Sequence, residues 1–459
     1  MAFLTQASNT GSLPTEHQVA NSCKFERSSN EAIETTNAAV GNKKTWTFSA
    51  WIKRTELGKD YHCIFGSGYT NIHFMSNDRL RAVFYNGSTS YYADTFAVFR
   101  DTSAWYHIVV SCDTTDGTRI QAVKMYINGV RVSTDGTGFS NSSFNNMAQN
   151  TDTGIGYAGS DGSERWIRLG RFFSGDEGFS GYMAEVHYVN GTARAADQFG
   201  EFDDNGIWIP KKYLGGYGTQ GFRYEFKTAS ALGTDSSPEG HNANSYSNIA
   251  AADQSTDTPT NNFAVGNTLN PSGVFSEGAT RWVSPTGSLG ADGTWNLATM
   301  ALTGGNWYCE AKMIATTNTY YQVGISPTHP NDSFASRLMY RSDGNIYNAG
   351  SGGNTSGHTT YTAGDIIGMA YNTSANTVIF SKNGTDIVTK TAIAHNDPYF
   401  FGGVALSSGT WTADYNFGGY ANYSISSAET DANGYGTFEY APPSGYYALC
   451  TKNLAEFGG

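Results

Sequence analysis

Charge is scarce in this 459-residue chain: only 15% of it is Asp, Glu, Lys or Arg, and the net charge is -12. No basic patch is concentrated anywhere, which argues against binding nucleic acid through its phosphates. Long apolar runs are missing too, so no stretch reads as a membrane span. The start, Met1-Ala2-Phe3-Leu4-Thr5-Gln6, has neither the basic region nor the apolar segment of a signal peptide. Synthesis and folding in cytoplasm are therefore expected. Five cysteines, Cys23, Cys63, Cys112, Cys309 and Cys450, lie far apart with no CxxC. An odd, widely spaced set fits neither a disulfide framework nor a zinc site, and is expected as buried small hydrophobes. The motifs HExxH, GxSxG and GxxxxGK[ST] do not occur.

What the chain has instead is rings and turns: 29 Tyr, 26 Phe and 54 Gly. That mixture is poor for helices and good for short strands joined by tight turns. Two stretches carry the clearest signal, Val123–Val132 and Thr377–Thr385. Each is a β-rich run meeting Asn-Gly, at Asn128-Gly129 and Asn383-Gly384, the pair that best tolerates the positive φ angles of a two-residue hairpin. Val123, Met125 and Ile127 alternate with Lys124, Tyr126 and Asn128, which makes a half-buried antiparallel strand. In Thr45–Arg54, Trp46, Phe48, Ala50 and Ile52 share one face. The expected fold is all-β, two tandem antiparallel β-sandwich (jelly-roll) domains joined by a polar linker.

The expected division is a polar arm at 1–20, which either docks on a partner or stays loose, and a first sandwich at 21–228. A Ser/Asn/Thr-rich linker lying along the surface follows at 229–275, then a second sandwich at 276–425 and an aromatic tail at 426–459. The tail is expected to send a strand back onto the second sandwich.

In order, WTFSAWIKR, WYHIVVSCD, VKMYINGVRV, LGR and FSGYMAEVHYVNGTA resemble a laminin-G-like, concanavalin A-type jelly roll over roughly residues 20 to 228. The set WYCEAKM, QVGIS, GDIIGMAYN, VIFSKNG, PYFFGGVAL and YNFG is similar to a SPRY domain, a bent β-sandwich that binds through its loops. The stretches after the first sandwich, DTPTNNF in the linker and PPSGYYALCTKNL at the end resemble bacteriophage virion proteins, marine ones especially. That resemblance implies a tail-fibre or capsid-attached component in the virion. Its partners would be other virion proteins, copies of itself in a homo-oligomer, and a host-surface glycan or protein.

Related jelly-roll glycosidases resembling laminarinases carry Glu-x-Asp-x-x-Glu on one strand. Here Glu201-Phe202-Asp203 starts that spacing, and position 206 is Gly. A retaining pair needs two carboxyls about 5–5.5 Å apart, so no catalytic residue is assigned and the chain is expected not to be an enzyme. His107 and His187 are expected as packed side chains. No cofactor is assigned. Some laminin-G-like domains hold calcium in rim loops, where Asp113, Asp116, Asp152 and Asp161 would supply oxygens, yet each has a simpler role in a turn. The candidate ligand-binding residues are Tyr91, Tyr92 and Trp166 in the first sandwich, and Tyr340, Arg341, Tyr347 and Trp411 in the second. Sugar binding needs an exposed ring flanked by polar groups, and large aromatics equally suit protein interfaces.

Overall fold

Both Asn-Gly pairs form the hairpin turns their chemistry favours. In the computed structural model Asn128 and Gly129 have φ of 46° and 79°, and Asn383 and Gly384 have 49° and 78°. Positive φ at both central positions matches the twist of the flanking strands. The structure describes residues 17–36, 41–156, 166–173, 177–269, 273–283, 296–316, 320–327, 337–348, 354–405 and 410–458. Gly129 is constrained twice over, because an added Cβ would lie 2.3 Å from the Trp208 ring. Gly129→Ala is expected to cost about 1–3 kcal/mol, read as a lower midpoint in urea with an unchanged slope.

The fold is nearly all-β, with antiparallel sheets in two tandem jelly-roll regions. In the first, one sheet runs in the order Val130–Arg131, Val123–Ile127, Tyr106–Asp113, Thr45–Arg54, Gly181–Asn190, Ser22–Phe25 and Gln254–Ser255, with Phe222–Tyr224 also on Gly181–Asn190. The facing sheet runs Phe139–Asn141, Ser90–Val98, Arg79–Tyr85, Thr70–Phe74, His62–Ser67, Trp166–Leu169, Ala32–Thr36 and Ser245–Ser247. Alternation fills the space between them: Trp46, Phe48, Ala50 and Ile52 meet Ile64, Phe65, Ile72 and Phe84 in one core. The second region has a separate core around Trp282, Trp307, Trp411 and Tyr415. All five cysteines are free and buried.

The tail sends Tyr447–Ala448 in parallel onto Asn306–Thr316, followed by a short helix, Thr451–Phe457. Buried Glu310 fastens it further, accepting from the backbone N–H of Glu439 and Tyr440 and from the Tyr423 hydroxyl. Of the arm, only residues 17–20 are described, and Val19 is buried against Trp51 and Trp105.

The polar middle departs from the expected surface linker. Ser245–Ser247 pairs with Ala32–Thr36, and Gln254–Ser255 pairs with Ser22–Phe25, so this segment adds strands to both sheets of the first sandwich. Phe263, Ala264 and Val265 are then buried. Few apolar anchors were needed because backbone pairing and buried ion pairs hold it. Lys24 Nζ sits 2.8 Å from Glu31, 2.9 Å from Asp253 and 2.9 Å from Glu277. That joins the first sandwich, the middle segment and the start of the second.

Three carboxylates share one ammonium here, and burial pushes the Glu31 carboxyl up to about 8. A buried acid whose folded pKa lies above its unfolded value stabilises fully below about 4.5 and loses that contribution as pH rises through about 8. The melting temperature is therefore expected to fall between pH 5 and pH 8. Glu31→Gln, which cannot ionise, should flatten that slope. A slope that Glu31→Gln leaves intact would assign it to another group.

Candidate binding face

The first sandwich has two outer faces, and the rest of the chain takes one of them. On the sheet carrying Thr45–Arg54, Val109 and Val189 lie under Phe199, Tyr213 and Tyr217. Trp51, Tyr182 and Ala184 lie against Val265, Ala279 and Tyr420. Across the sandwich, the described residues overlying the other sheet come from its own strands and turns. That open face is the candidate site.

Register places its floor. Cys63, His73, Arg81 and Asp94 face one another across four strands. The next row is Glu34, Arg168, Gly66, Asn71, Val83 and Tyr92. Directly opposed residues point to the same side of a sheet. Two fixed charge pairs stand on it. Arg81 grips Asp94 through Nε and a terminal nitrogen at 2.7 and 2.6 Å, and these hydrogen bonds push the guanidinium pKa up. Arg168 Nε donates to Glu34 at 2.7 Å. Between them, buried His73 hydrogen-bonds Asn71 at 2.6 Å, and burial lowers its pKa to about 3, so it stays neutral.

Rings cover this floor. Tyr61 stacks on His73 at 4.7 Å between centroids. Tyr69 packs against Tyr85 at 4.8 Å and Phe173 at 5.2 Å. Phe172 lies over Gly66, where an added Cβ would come within 2.9 Å of it. The outer rings remain exposed, Tyr69 by 48%, Phe173 by 42% and Tyr61 by 38%. Exposed rings beside anchored polar groups suit a ligand with an apolar face and many hydroxyls.

The sequence-derived candidates divide. Tyr92 faces outward on this sheet with the Arg81 guanidinium 4.8 Å from its ring. Tyr91 alternates to the other side and packs on the core, so it is withdrawn. Trp166 is buried with Cys63 and Phe172 and serves as a base: Arg168 lies 4.4 Å over its ring and Phe173 meets it edge-on. In the second sandwich Tyr340 and Trp411 are fully buried. Both are core residues, a correction that strand alternation explains, since each occupies an inward position. Arg341 and Tyr347 do come together. Arg341 is held between the rings of Tyr320 and Tyr347 at 4.3 and 4.5 Å and is braced by Asp343. Tyr61, Tyr69, Phe173, Arg81 and Asp94 were missed. The usable signal was an aromatic at a glycine-rich turn, as in Gly66-Ser67-Gly68-Tyr69.

Among the described residues, the titratable groups around Ser49, Glu185, Lys24 and Asp203 form neither a nucleophile nor an acid–base pair. Ser49 and His107 are 2.9 Å apart, but the Trp208 indole N–H donates to His107 Nδ1. Nε2 therefore carries the proton and donates to Ser49, leaving no base for the hydroxyl. Glu185 is occupied by Arg223 at 2.9 and 3.0 Å and by His187 at 3.3 Å. Glu31, Asp253 and Glu277 converge only on Lys24, at the sealed junction. Asp203 accepts from the backbone of Asn205 and Ile207, as a turn residue does.

Among the described residues no cluster of three His, Cys, Asp or Glu is placed to hold a metal ion. Asp113 and Asp116 cap their own turns through Thr115 and Thr118, Asp152 is exposed beside Lys44, and Asp161 lies outside the described residues. Among the same residues, no helix is long and apolar enough to cross a membrane.

Residues 27–198 match the Laminin_G_3 family, described as the Concanavalin A-like lectin/glucanases superfamily. Residues 306–419 match the SPRY domain family. Among curated proteins, no sequence relative matches. Similar solved structures include a putative carbohydrate binding protein from Bacteroides ovatus, at 17% identity over 50% of this chain and 59% of that one, TM-score 0.35. Another is the LG4-5 domain pair of the mouse laminin alpha1 chain, at 11% identity over 93% and 95%, TM-score 0.29. The human HERC1 SPRY domain is 20% identical over 29% of this chain and 88% of its own, TM-score 0.25. The chain thus carries a laminin-G-like, concanavalin A-like lectin domain followed by a SPRY domain.

Proposed function

We propose that this is a non-enzymatic binding protein whose first sandwich holds a glycan on its open face, among Tyr61, Tyr69, Tyr92 and Phe173. The observation that carries the reading is the pairing of exposed rings with the fixed Arg81–Asp94 and Arg168–Glu34 pairs on the outer face of the first sandwich that the described residues leave uncovered. Rings supply stacking area for a sugar's C–H face, and the held polar groups orient its hydroxyls. Arg341, between Tyr320 and Tyr347, is a second contact point on the SPRY domain. The sequence resemblance to phage virion proteins supports placing it in a bacteriophage particle, as a tail-fibre or capsid-attached component. There weak contacts to a host-surface glycan or protein would be multiplied by a homo-oligomer.

The test is adsorption. Purified protein should bind an array of immobilised bacterial surface polysaccharides and release no reducing sugar ends from the polysaccharide it binds. Sugar release would make it a depolymerase. One observation favours an assembly subunit instead: Phe202, Ile207 and Val130 are exposed by 54, 60 and 63%, near half-buried Trp208, with Leu214 exposed by 84% further on. If those side chains contact neighbouring virion proteins and the array stays blank, the protein is a decoration or cement subunit.

A further inference from the structure

Among the described residues, Lys53 is the lysine whose side chain is sealed completely among groups able to react with it. It projects from Thr45–Arg54 of the lectin sandwich, with 0% of its side chain exposed and 1% of Asp257's. Its Nζ lies 2.7 Å from Asp257 Oδ2, 2.7 Å from the amide oxygen of Asn262 and 2.8 Å from the Phe263 carbonyl. Trp105, Tyr182 and Phe263, all buried, wall the site, and the Trp105 indole N–H donates to Asp257 Oδ1. Asn262 is held as well: its Nδ2 donates to the Ser103 carbonyl at 2.6 Å, which turns Oδ1 toward the lysine.

We infer that Lys53 and Asn262 form an intramolecular isopeptide bond, with Asp257 as the catalytic acid–base. Amine and amide are already in contact, so the step is unimolecular and gains the large effective concentration of oriented partners.

Burial favours the neutral forms of both partners, lowering the Lys53 pKa and raising that of Asp257. Nζ donates to Asp257 Oδ2, to the Asn262 amide oxygen and to the Phe263 carbonyl, and passing one of these protons to Asp257 gives the neutral amine and the neutral acid. A neutral amine in an apolar wall is a nucleophile.

Nζ forms a bond to Cγ of Asn262, and Asp257 takes one proton from Nζ while supplying one to Nδ2. The Cγ–Nδ2 bond breaks, Nδ2 departs as ammonia, and Asp257 ends protonated as it began. The product is one secondary amide, and no oxidant or other reactant enters. It would close a loop of 209 residues and fasten the lectin sandwich to the segment entering the SPRY domain. Such a closure removes unfolded-state freedom, as a disulfide of that span would.

Mass spectrometry of the full chain tests it. The denatured protein should be lighter than its sequence mass by one ammonia. A tryptic digest should yield one branched peptide joining Lys53 to Asn262, with no cleavage after Lys53. Lys53→Met and Asp257→Asn should each abolish the branched peptide. A full sequence mass in the wild-type protein would overturn the inference without recourse to any variant. So would a loss of ammonia without a branched peptide, or a loss of one water joining Lys53 to Asp257.

Discussion

Replacing Tyr69 and Phe173 together by alanine is expected to weaken binding to the bound polysaccharide by more than about 10-fold. The melting temperature should hardly move. Both rings are about half exposed, so truncation removes little core packing, and surface changes of this kind usually shift stability by within about 0.5 kcal/mol. The ligand would lose its stacking surface, while Trp166 below still packs against Cys63 and Phe172. Surface titration of wild type and variant on the same polysaccharide, with thermal melts alongside, gives both readings. An unchanged affinity would move the ligand off this face.

The converse is expected at Trp411. Its ring is fully buried and packs near Tyr415, itself stacked 3.7 Å from Trp282. Trp411→Ala should cost about 3–5 kcal/mol by opening a cavity in the SPRY core. Denaturant unfolding followed by tryptophan fluorescence measures this. Binding under conditions where the variant stays folded should match wild type, because the polysaccharide meets the other sandwich. A binding loss without a stability loss would restore Trp411 as a contact residue.

The contrast shows what the chain makes legible. Period-two alternation gave the strands and which face of Thr45–Arg54 was inward, and Asn-Gly gave both hairpins, because those signals are local. Exposure of a ring is not local. Tyr340 and Arg341 are neighbours in sequence, yet one is core and the other surface, and only the register of Leu338–Arg341 decides between them. The polar middle was misread for a related reason. Its apolar content is low, but Asp253 and Asp257 are buried against Lys24 and Lys53, lysines more than two hundred residues earlier. Composition does not carry that pairing. Nor could it show that one sheet's outer face is covered and the other open, which depends on where residues 199–217 and the SPRY domain settle.

Hydrogen exchange of the full-length protein, with and without a polysaccharide identified on the array, tests the binding face most directly. Added protection at 61–73, 79–92 and 166–173 is the expected result, with the hairpin segment 199–214 unchanged. Protection confined to 199–214 or to the SPRY domain, with the open face exchanging as before, would contradict it.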